Sequence, residues 1–571
     1  MNIPISYVAP CFAIILTVST FPTPVAAQKD PLLGVLTSEM DREISELQKA
    51  TYPAYYIDYS VNDIEYASLN ASFGSLIQSN HNKNRILATQ VRVGDYQFDN
   101  THPIGAQDGN LMPPRGSNGP VMLPIDDDTK ALQVGLWRAT QNEYKVAMES
   151  YKALRSLPST TRDSSITADF SKESPVVYYE PTPKSIRDIF NHDEWAEKLK
   201  AYSRPFQNNA DIIEAGVTMR VSVERKYFVS TEGTKIVQNA TSAYINISAS
   251  IRADDGDIVP LHQSYYAPLP SGLPGDEKVL SDVEKMVNLL EQLKTAPLAE
   301  PYSGPSILLA QTAGVFFHEI FGHRIEGHRL KNEYDGQTFK AKLNELVLPK
   351  TLSVSFDPTI TDINGITVNG SYKFDDEGVR SQRVNVVEKG ILKTFLMSRT
   401  PLDDLAHSNG HGRAAMGATP VSRQSNLLVE TSKPVSLSSL RKMLIKECRK
   451  QGKPYGYFFK EVVGGFTVTD RYNPNAFNIF PTVVYRIYAD RRPDELVRGV
   501  DLIGTPLAMF AEITAAADDR DIFIGFCGAE SGSVPVSAAS PSLFVRRIET
   551  QKKPRRHQEA TLLSMPTSLL H

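Results

Sequence analysis

The sequence predicts an α+β chain with a small N-terminal α+β domain, a β-rich middle region and a large β-rich C-terminal domain that contains a metal-binding helix. Three observations point there. Apolar residues recur at helical spacing at the start of the chain. They alternate with polar ones through the middle. Beyond residue 300, a single apolar helical segment carries two histidines and a glutamate. With 571 residues, 41% hydrophobic and 22% charged, the chain has length for two or three cores and the composition of an ordinary globular protein. Its 61 basic and 65 acidic side chains leave a net charge of −4, which gives no reason to expect nucleic acid as a partner.

The expected boundaries are 1–27 for a signal peptide, 31–109 for the first domain and 110–300 for the middle region. The C-terminal domain is expected over 301–548, with a flexible basic tail over 549–571. Residues 1–27 carry no charged side chain, are apolar from Val8 to Val18, and end Val25-Ala26-Ala27 before Gln28. That is a pattern for export to a periplasmic or extracellular location. An uncleaved anchor is the alternative, although the stretch falls short of a bilayer span, and no later segment is long and apolar enough to be transmembrane. Leu33, Val35, Leu36, Met40, Ile44 and Leu47 predict a helix over 31–50. Strands are expected over 54–61, 65–78 and 85–96.

A Pro/Gly/Asn-rich linker covers 109–126, helices are expected over 128–157 and 186–202, and 211–261 reads as β. There Tyr244, Asn246 and Ser248 alternate with Ala243, Ile245 and Ile247. A helix over 276–294 leads into the C-terminal domain. In that domain strands are expected over 365–374, 381–397 with a turn at Glu388-Lys389-Gly390, 455–469, 482–487 and beyond 500, and the loop over 398–423 is long enough to be functional.

The central stretch runs Gly314-Val-Phe-Phe-His318-Glu319-Ile-Phe-Gly322-His323-Arg-Ile-Glu326-Gly327. Ala313, Phe317, Ile320 and Phe321 predict a buried helix from about Ser303-Gly304-Pro305 to Gly327. Buried imidazoles and carboxylates are costly unless they bind something. On a regular helix His323 would face about 140° away from His318, against about 40° for the four-residue spacing of His-Glu-x-x-His. A wide i→i+5 turn, eased by Gly322, would bring the two together. Catalytic zinc usually takes three protein ligands. Cys527, among glycines in Gly525-Phe526-Cys527-Gly528, is the best third candidate; Glu326, His328, His407 and His411 are rivals. The bland alternative is two hydrogen-bonded core histidines.

These residues resemble the TldD/PmbA metallopeptidases. The likeness rests on the His-Glu-x-x-x-His run continuing into Glu326-Gly327, on Phe374-Asp375-Asp376-Glu377-Gly378 and on Val387-Glu388-Lys389-Gly390. It extends through Ser408-Asn409-Gly410-His411-Gly412-Arg413, Leu502-Ile503-Gly504, and Cys527-Gly528 leading to Ser533-Val534-Pro535-Val536. Order and separations fit over about 303–547, whereas 464–491 matches poorly. The resemblance implies a catalytic TldD-type peptidase in which His318, His323 and Cys527 hold Zn2+ and Glu319 is the general base. It also implies that the substrate is an unfolded or extended peptide and that the chain forms a homodimer or a heterodimer with a related subunit. In the loop over 398–423, His407 and His411 could touch substrate or metal, exposed loop histidines being the alternative; His411, inside the family-like Ser408-to-Arg413 run, is the better substrate-binding candidate. A cysteine ligand favours zinc over magnesium or calcium.

Removing residues 1–27 leaves Cys448 and Cys527, and a disulfide between them would deny the metal its thiolate. The family pattern favours the ligand. Other readings stay open: a non-catalytic metal-stabilised binding subunit, or a zinc-dependent hydrolase of non-peptide amides.

Overall fold

The computed structural model describes residues 30–103, 119–157, 167–331, 335, 337–470 and 477–554. The expected signal peptide and most of the expected basic tail lie outside the described residues, as do parts of the expected linker and of the poorly matching stretch.

The chain opens on helix α1, Pro31–Leu47, with Pro31 at its first turn and the Asp30 carboxylate accepting from Leu33 N. Two strands follow where three were expected: β1, Ala54–Ser72, and β2, Ser75–Val93. The break expected near Asn62-Asp63 is absent because these polar residues are satisfied across the sheet. Asn62 donates to Glu224 at 2.6 Å, and Asp63 pairs with Arg85 at 2.6 Å. The turn falls instead at Phe73-Gly74, both at positive φ (45° and 76°), in the two-residue hairpin geometry that matches strand twist.

Helices α2, Thr129–Ser156, and α3, His192–Ser203, come next. Asn191 starts α3 by capping Glu194 N, which interrupts the single helix expected over 186–202. Strands β3 (Ile212–Ser230), β4 (Lys235–Arg252) and β5 (Ile258–Ala267) complete the first sheet, and α4, Asp276–Thr295, packs on it. β1 pairs antiparallel with β3 from Asp58↔Ser230 to Ala71↔Val217. The expected boundary at residue 109 therefore divides one continuous sheet, because strands from both sides of it complete each other's hydrogen bonding.

The C-terminal region is two sheets with a helix between them. β6, Tyr302–Leu308, is a strand where a helix start was expected. Pro305 is tolerated there because it lies opposite an irregularity in the partner strand, between Val545 and Ile548. β6 pairs with β10 (Tyr455–Thr467) and β15 (Leu543–Lys552). The ladder continues through β12 (Val500–Gly504) to β11 (Phe477–Tyr488), which pairs back to β10 and closes the ring. The expected tail thus loses residues 549–552 to β15.

The other sheet places β8 (Val384–Glu388), β7 (Leu352–Phe356), β9 (Asn426–Thr431), β14 (Gly532–Ser540) and β13 (Asp521–Ala529) side by side. The expected turn at Glu388-Lys389-Gly390 is present, with Lys389 and Gly390 at positive φ. The expected strand over 365–374 shrinks to Ile366–Thr367. Among the described residues no helix is long and apolar enough to cross a membrane.

Helix α5, Ala310–Ile320, lies between the two sheets with Phe316, Phe317 and Ile320 fully buried against Tyr457 and Phe459 of β10 and Ala538 of β14. Gly314 permits this: a Cβ there would stand 2.5 Å from the Ala538 carbonyl oxygen.

Candidate metal centre

The motif helix is shorter than its sequence suggests. α5 ends at Ile320, Phe321 departs to φ −105° and ψ −53°, and Gly322–Arg324 forms a 3₁₀ turn. The expected i→i+5 turn is absent: Phe321 N bonds to Phe317 O, and Arg324 N to Phe321 O. Breaking the helix between the histidines, rather than widening it, is what turns His323 back towards His318. Gly322 serves close approach, since a Cβ would collide with the Gln424 amide at 1.9 Å, and Gln424 donates to the His318 carbonyl. The fully buried Arg324 donates to the carbonyls of Glu319 and Ile320 at 3.0 and 3.1 Å, satisfying the end of α5.

β13 brings Cys527 to this corner. The donor atoms of His318, His323 and Cys527 all lie within 4.8 Å of one another, and Cys527 Sγ is 3.4 Å from His323 Nε2. Among the described residues this is the one such cluster of three or more potential metal ligands. All three side chains are buried. Sulfur and nitrogen ligands at 2.3 and 2.0 Å from a tetrahedral zinc would be about 3.5 Å apart, so the donor set and its spacing fit that ion. Burial raises the Cys527 thiol, but the two facing imidazoles outweigh it and hold the thiol well below its ordinary value. Burial likewise opposes charge on His323, and the Cys527 sulfur and the Glu326 carboxylate overcome it, holding His323 well above its ordinary value.

Glu326, a rival ligand in the sequence, instead accepts from His323 Nδ1 at 3.2 Å, leaving Nε2 towards Cys527. A carboxylate behind a histidine in this way fixes its tautomer and ring direction. Despite burial, His323 and Arg329 hold Glu326 ionised, with a pKa of about 2. Glu319 is buried with Oε2 3.9 Å from His323 Nε2. Gly465 of β10 gives it room, since a Cβ there would meet Glu319 Cγ at 2.9 Å.

The other rivals lie elsewhere. His328 pairs with Glu530, and exposed His407 lies 3.5 Å from Glu173. His411, expected near substrate, is fully buried, with Nδ1 at 3.1 Å from the Asn409 carbonyl oxygen and Nε2 at 3.1 Å from Ser425 Oγ. Burial pushes its pKa down to about 3, so it is a neutral core residue whose two nitrogens are already engaged. Cys448 is free and buried in a separate apolar cluster with Leu440 and Leu444, so no bridge to Cys527 forms. No sequence signal pointed to Arg324, Arg329, Arg423, Gln424 or Glu530 around the site. Buried arginines have no periodic signature, and their partners are distant in the chain.

Residues 303–552 match the profile of the PmbA/TldA metallopeptidase C-terminal domain. Through them, the C-terminal part of the chain is similar to the TldD/PmbA family. An Archaeoglobus fulgidus metalloprotease is 31% identical over 274 residues, 48% of this chain and 57% of its own length. A Methanocaldococcus jannaschii metalloprotease is 29% identical over 319 residues, 55% and 64% of the two chains. A Saccharolobus solfataricus zinc metalloprotease TldD homolog is 24% identical over 335 residues, 57% and 68%. The match to the first two thus falls short of two thirds of their length.

Crystal structures show the same fold at low identity. TldE from Thermococcus kodakarensis superposes with a TM-score of 0.57 at 13% identity, covering 90% of this chain and all of that one. A Thermotoga maritima protein gives 0.59 at 17%, covering 90% and 100%. All three of the sequence relatives are named metalloproteases.

Proposed function

We propose that this chain is an exported zinc metallopeptidase in which His318, His323 and Cys527 hold the metal and Glu319 is the general base. The observation that carries the reading is the convergence of two imidazoles and a thiol within 4.8 Å, with a buried carboxylate 3.9 Å from one of the imidazoles. Zinc bound there would supply Lewis acidity and bring the pKa of a water towards neutrality.

The protein's own groups supply the rest. Glu319 takes the proton from the attacking water and returns it to the leaving amine, a transfer that requires a carboxylate beside the site rather than in the donor set. Glu326 holds the His323 Nδ1 proton, so Nε2 presents its lone pair. A substrate in extended conformation is favoured because backbone contacts to a strand-like peptide make little demand on side chains. The structural likeness to TldE supports a related subunit as dimer partner, with a homodimer as the alternative. Residues 1–27 support export, which N-terminal sequencing of mature protein beginning at Gln28 tests.

The decisive experiment measures metal content and peptide turnover together. Purified without chelator, the wild type should carry about one zinc per chain, three protein ligands making one site. Cys527→Ser should lose most of it, and Glu319→Gln should keep it while losing turnover. Full activity in Glu319→Gln removes the assigned base, and no zinc in the wild type removes the metal reading.

A further inference from the structure

The ligands come from two segments far apart in the chain: the end of α5 with the 3₁₀ turn after it, and the β13–β14 hairpin, which carries Cys527. A fully buried side chain, Arg423, touches the hairpin and faces Glu326 just past that turn. Its guanidinium donates to the Cys527 carbonyl at 2.5 Å, to Ser531 Oγ at 2.8 Å and to the Gly532 carbonyl at 2.9 Å. Its Nε faces Glu326 Oε1 at 3.6 Å, an ion pair longer than a hydrogen bond. The other Glu326 oxygen is held by His323 and by Arg329, at 3.2 and 2.9 Å. Arg329 in turn reaches Glu530 in the same hairpin turn at 2.7 Å. A buried guanidinium is costly to desolvate, and a planar fork with several donors is the group that can satisfy a turn and a carboxylate together.

We propose that Arg423 is a positioning residue for the metal centre. It locks the hairpin turn carrying Cys527 to the carboxylate that orients His323, so the three donors stand together before a metal arrives. The inference rests on the metal reading above and adds a relay to it: a disturbance of the hairpin should be felt at His323, and one at Glu326 should be felt at Cys527, through Arg423 and, beside it, the Arg329–Glu530 pair. Lysine cannot replace it, since one ammonium does not reproduce the fork.

The test is Zn2+ affinity of the full chain by competition with a chromophoric chelator, each variant first shown to be folded by thermal unfolding. Arg423→Met and Arg423→Lys should each weaken affinity by about 10- to 100-fold, the range for supporting groups behind metal ligands. Cys448→Ser, a buried change in another cluster, should leave it within about twofold, a difference small against that range. Should the Arg423 variants not fold, the relay is read without touching that residue, in a cycle of Ser531→Ala on the hairpin side and Glu326→Asp on the helix side. The relay requires the double variant to lose clearly less affinity than the two single losses multiplied. Wild-type affinity in folded Arg423→Met, or strictly additive single effects in the cycle, overturns the positioning role alone. Absence of Zn2+ binding in the wild type overturns it together with the metal reading.

Discussion

Replacing Gly314 by alanine separates two physical effects of opposite sign. Gly314 lies inside α5, and by intrinsic propensity alone alanine in a helix interior should stabilise by about 1 kcal/mol. The structure predicts the reverse. The new Cβ would stand 2.5 Å from the Ala538 carbonyl oxygen and 3.2 Å from its carbon. Ala538 cannot yield easily, because β14 is paired on both sides, to Leu427 of β9 and Phe523 of β13.

The helix must therefore withdraw by roughly 0.8 Å to restore an ordinary carbon–oxygen contact. Overpacking of this kind costs about 1–3 kcal/mol, and a radial gap of 0.5–1 Å forfeits about a quarter to a half of each dispersion contact along the face. Less the propensity gain of about 1 kcal/mol, a net loss of up to about 2 kcal/mol remains, which the forfeited dispersion contacts keep above zero. His318 follows one turn later on α5, and Cys527 is on β13 beside β14, so the same withdrawal widens the donor set. Urea unfolding of the metal-free protein measures the first effect, and chelator competition the second, with Zn2+ affinity expected to fall about tenfold. A Gly314→Ala protein as stable as the wild type, or more so, would refute the close-packing argument.

Gly465→Ala should leave zinc content unchanged while lowering turnover by about 100-fold, the cost of misplacing a reacting group by an ångström; its Cβ would press on the Asn478 carbonyl oxygen at 2.8 Å and on Glu319 Cγ at 2.9 Å, and equal kcat in the two proteins contradicts this. Cys448→Ser should retain full zinc and lose about 1–3 kcal/mol in urea unfolding, because it buries a hydroxyl in an apolar cluster; loss of zinc would show that Cys448 matters to the site. Burial raises Asp58 to about 7 despite hydrogen bonds from Tyr56 and Gln90. The folded state thus keeps the proton that the unfolded chain releases near pH 4, so this group's stabilisation is full below that pH. It is lost by up to about 1.4 kcal/mol per unit as pH rises towards 7. Asp58→Asn should flatten that slope in metal-free protein unfolded at pH 5 and 7; an unchanged slope assigns it to other groups.

Local signals carried the first helix, the hairpin at 388–391 and the middle strands, because each rests on a cap, a turn residue or a two-residue period within a short window. The His318 and His323 pair was legible for a different reason: polar groups in apolar surroundings stand out one residue at a time, whereas Cys527 was picked out among rivals by its flanking glycines and by the family likeness. What failed was non-local. The expected strands over 54–61 and 65–78 were separated at Asn62-Asp63 because the partners of these polar residues, Glu224 and Arg85, lie on other strands. The division at residue 109 failed because β1 is paired over its length by a strand from beyond it. Ser303-Gly304-Pro305 read as a helix start because the irregularity that excuses the proline belongs to β15.

The misreading of the motif helix has a structural lesson. A five-residue spacing looks wrong for two ligands only if the helix continues, and here the helix has a reason to stop. Its last carbonyls are taken by Arg324, and its backbone at Gly322 is pressed against Gln424, so the turn between the histidines is fixed by side chains from outside the helix. The same break frees residues 325–327 from the helical axis and lets Glu326 come up behind His323. In a helix running on to Gly327, His323 and Glu326 would still be neighbours, three residues apart, but their pair would face away from His318. Ending the helix early lets one short segment contribute both a candidate ligand and the carboxylate that aims it, while Cys527 arrives from a hairpin that Arg423 ties to that carboxylate.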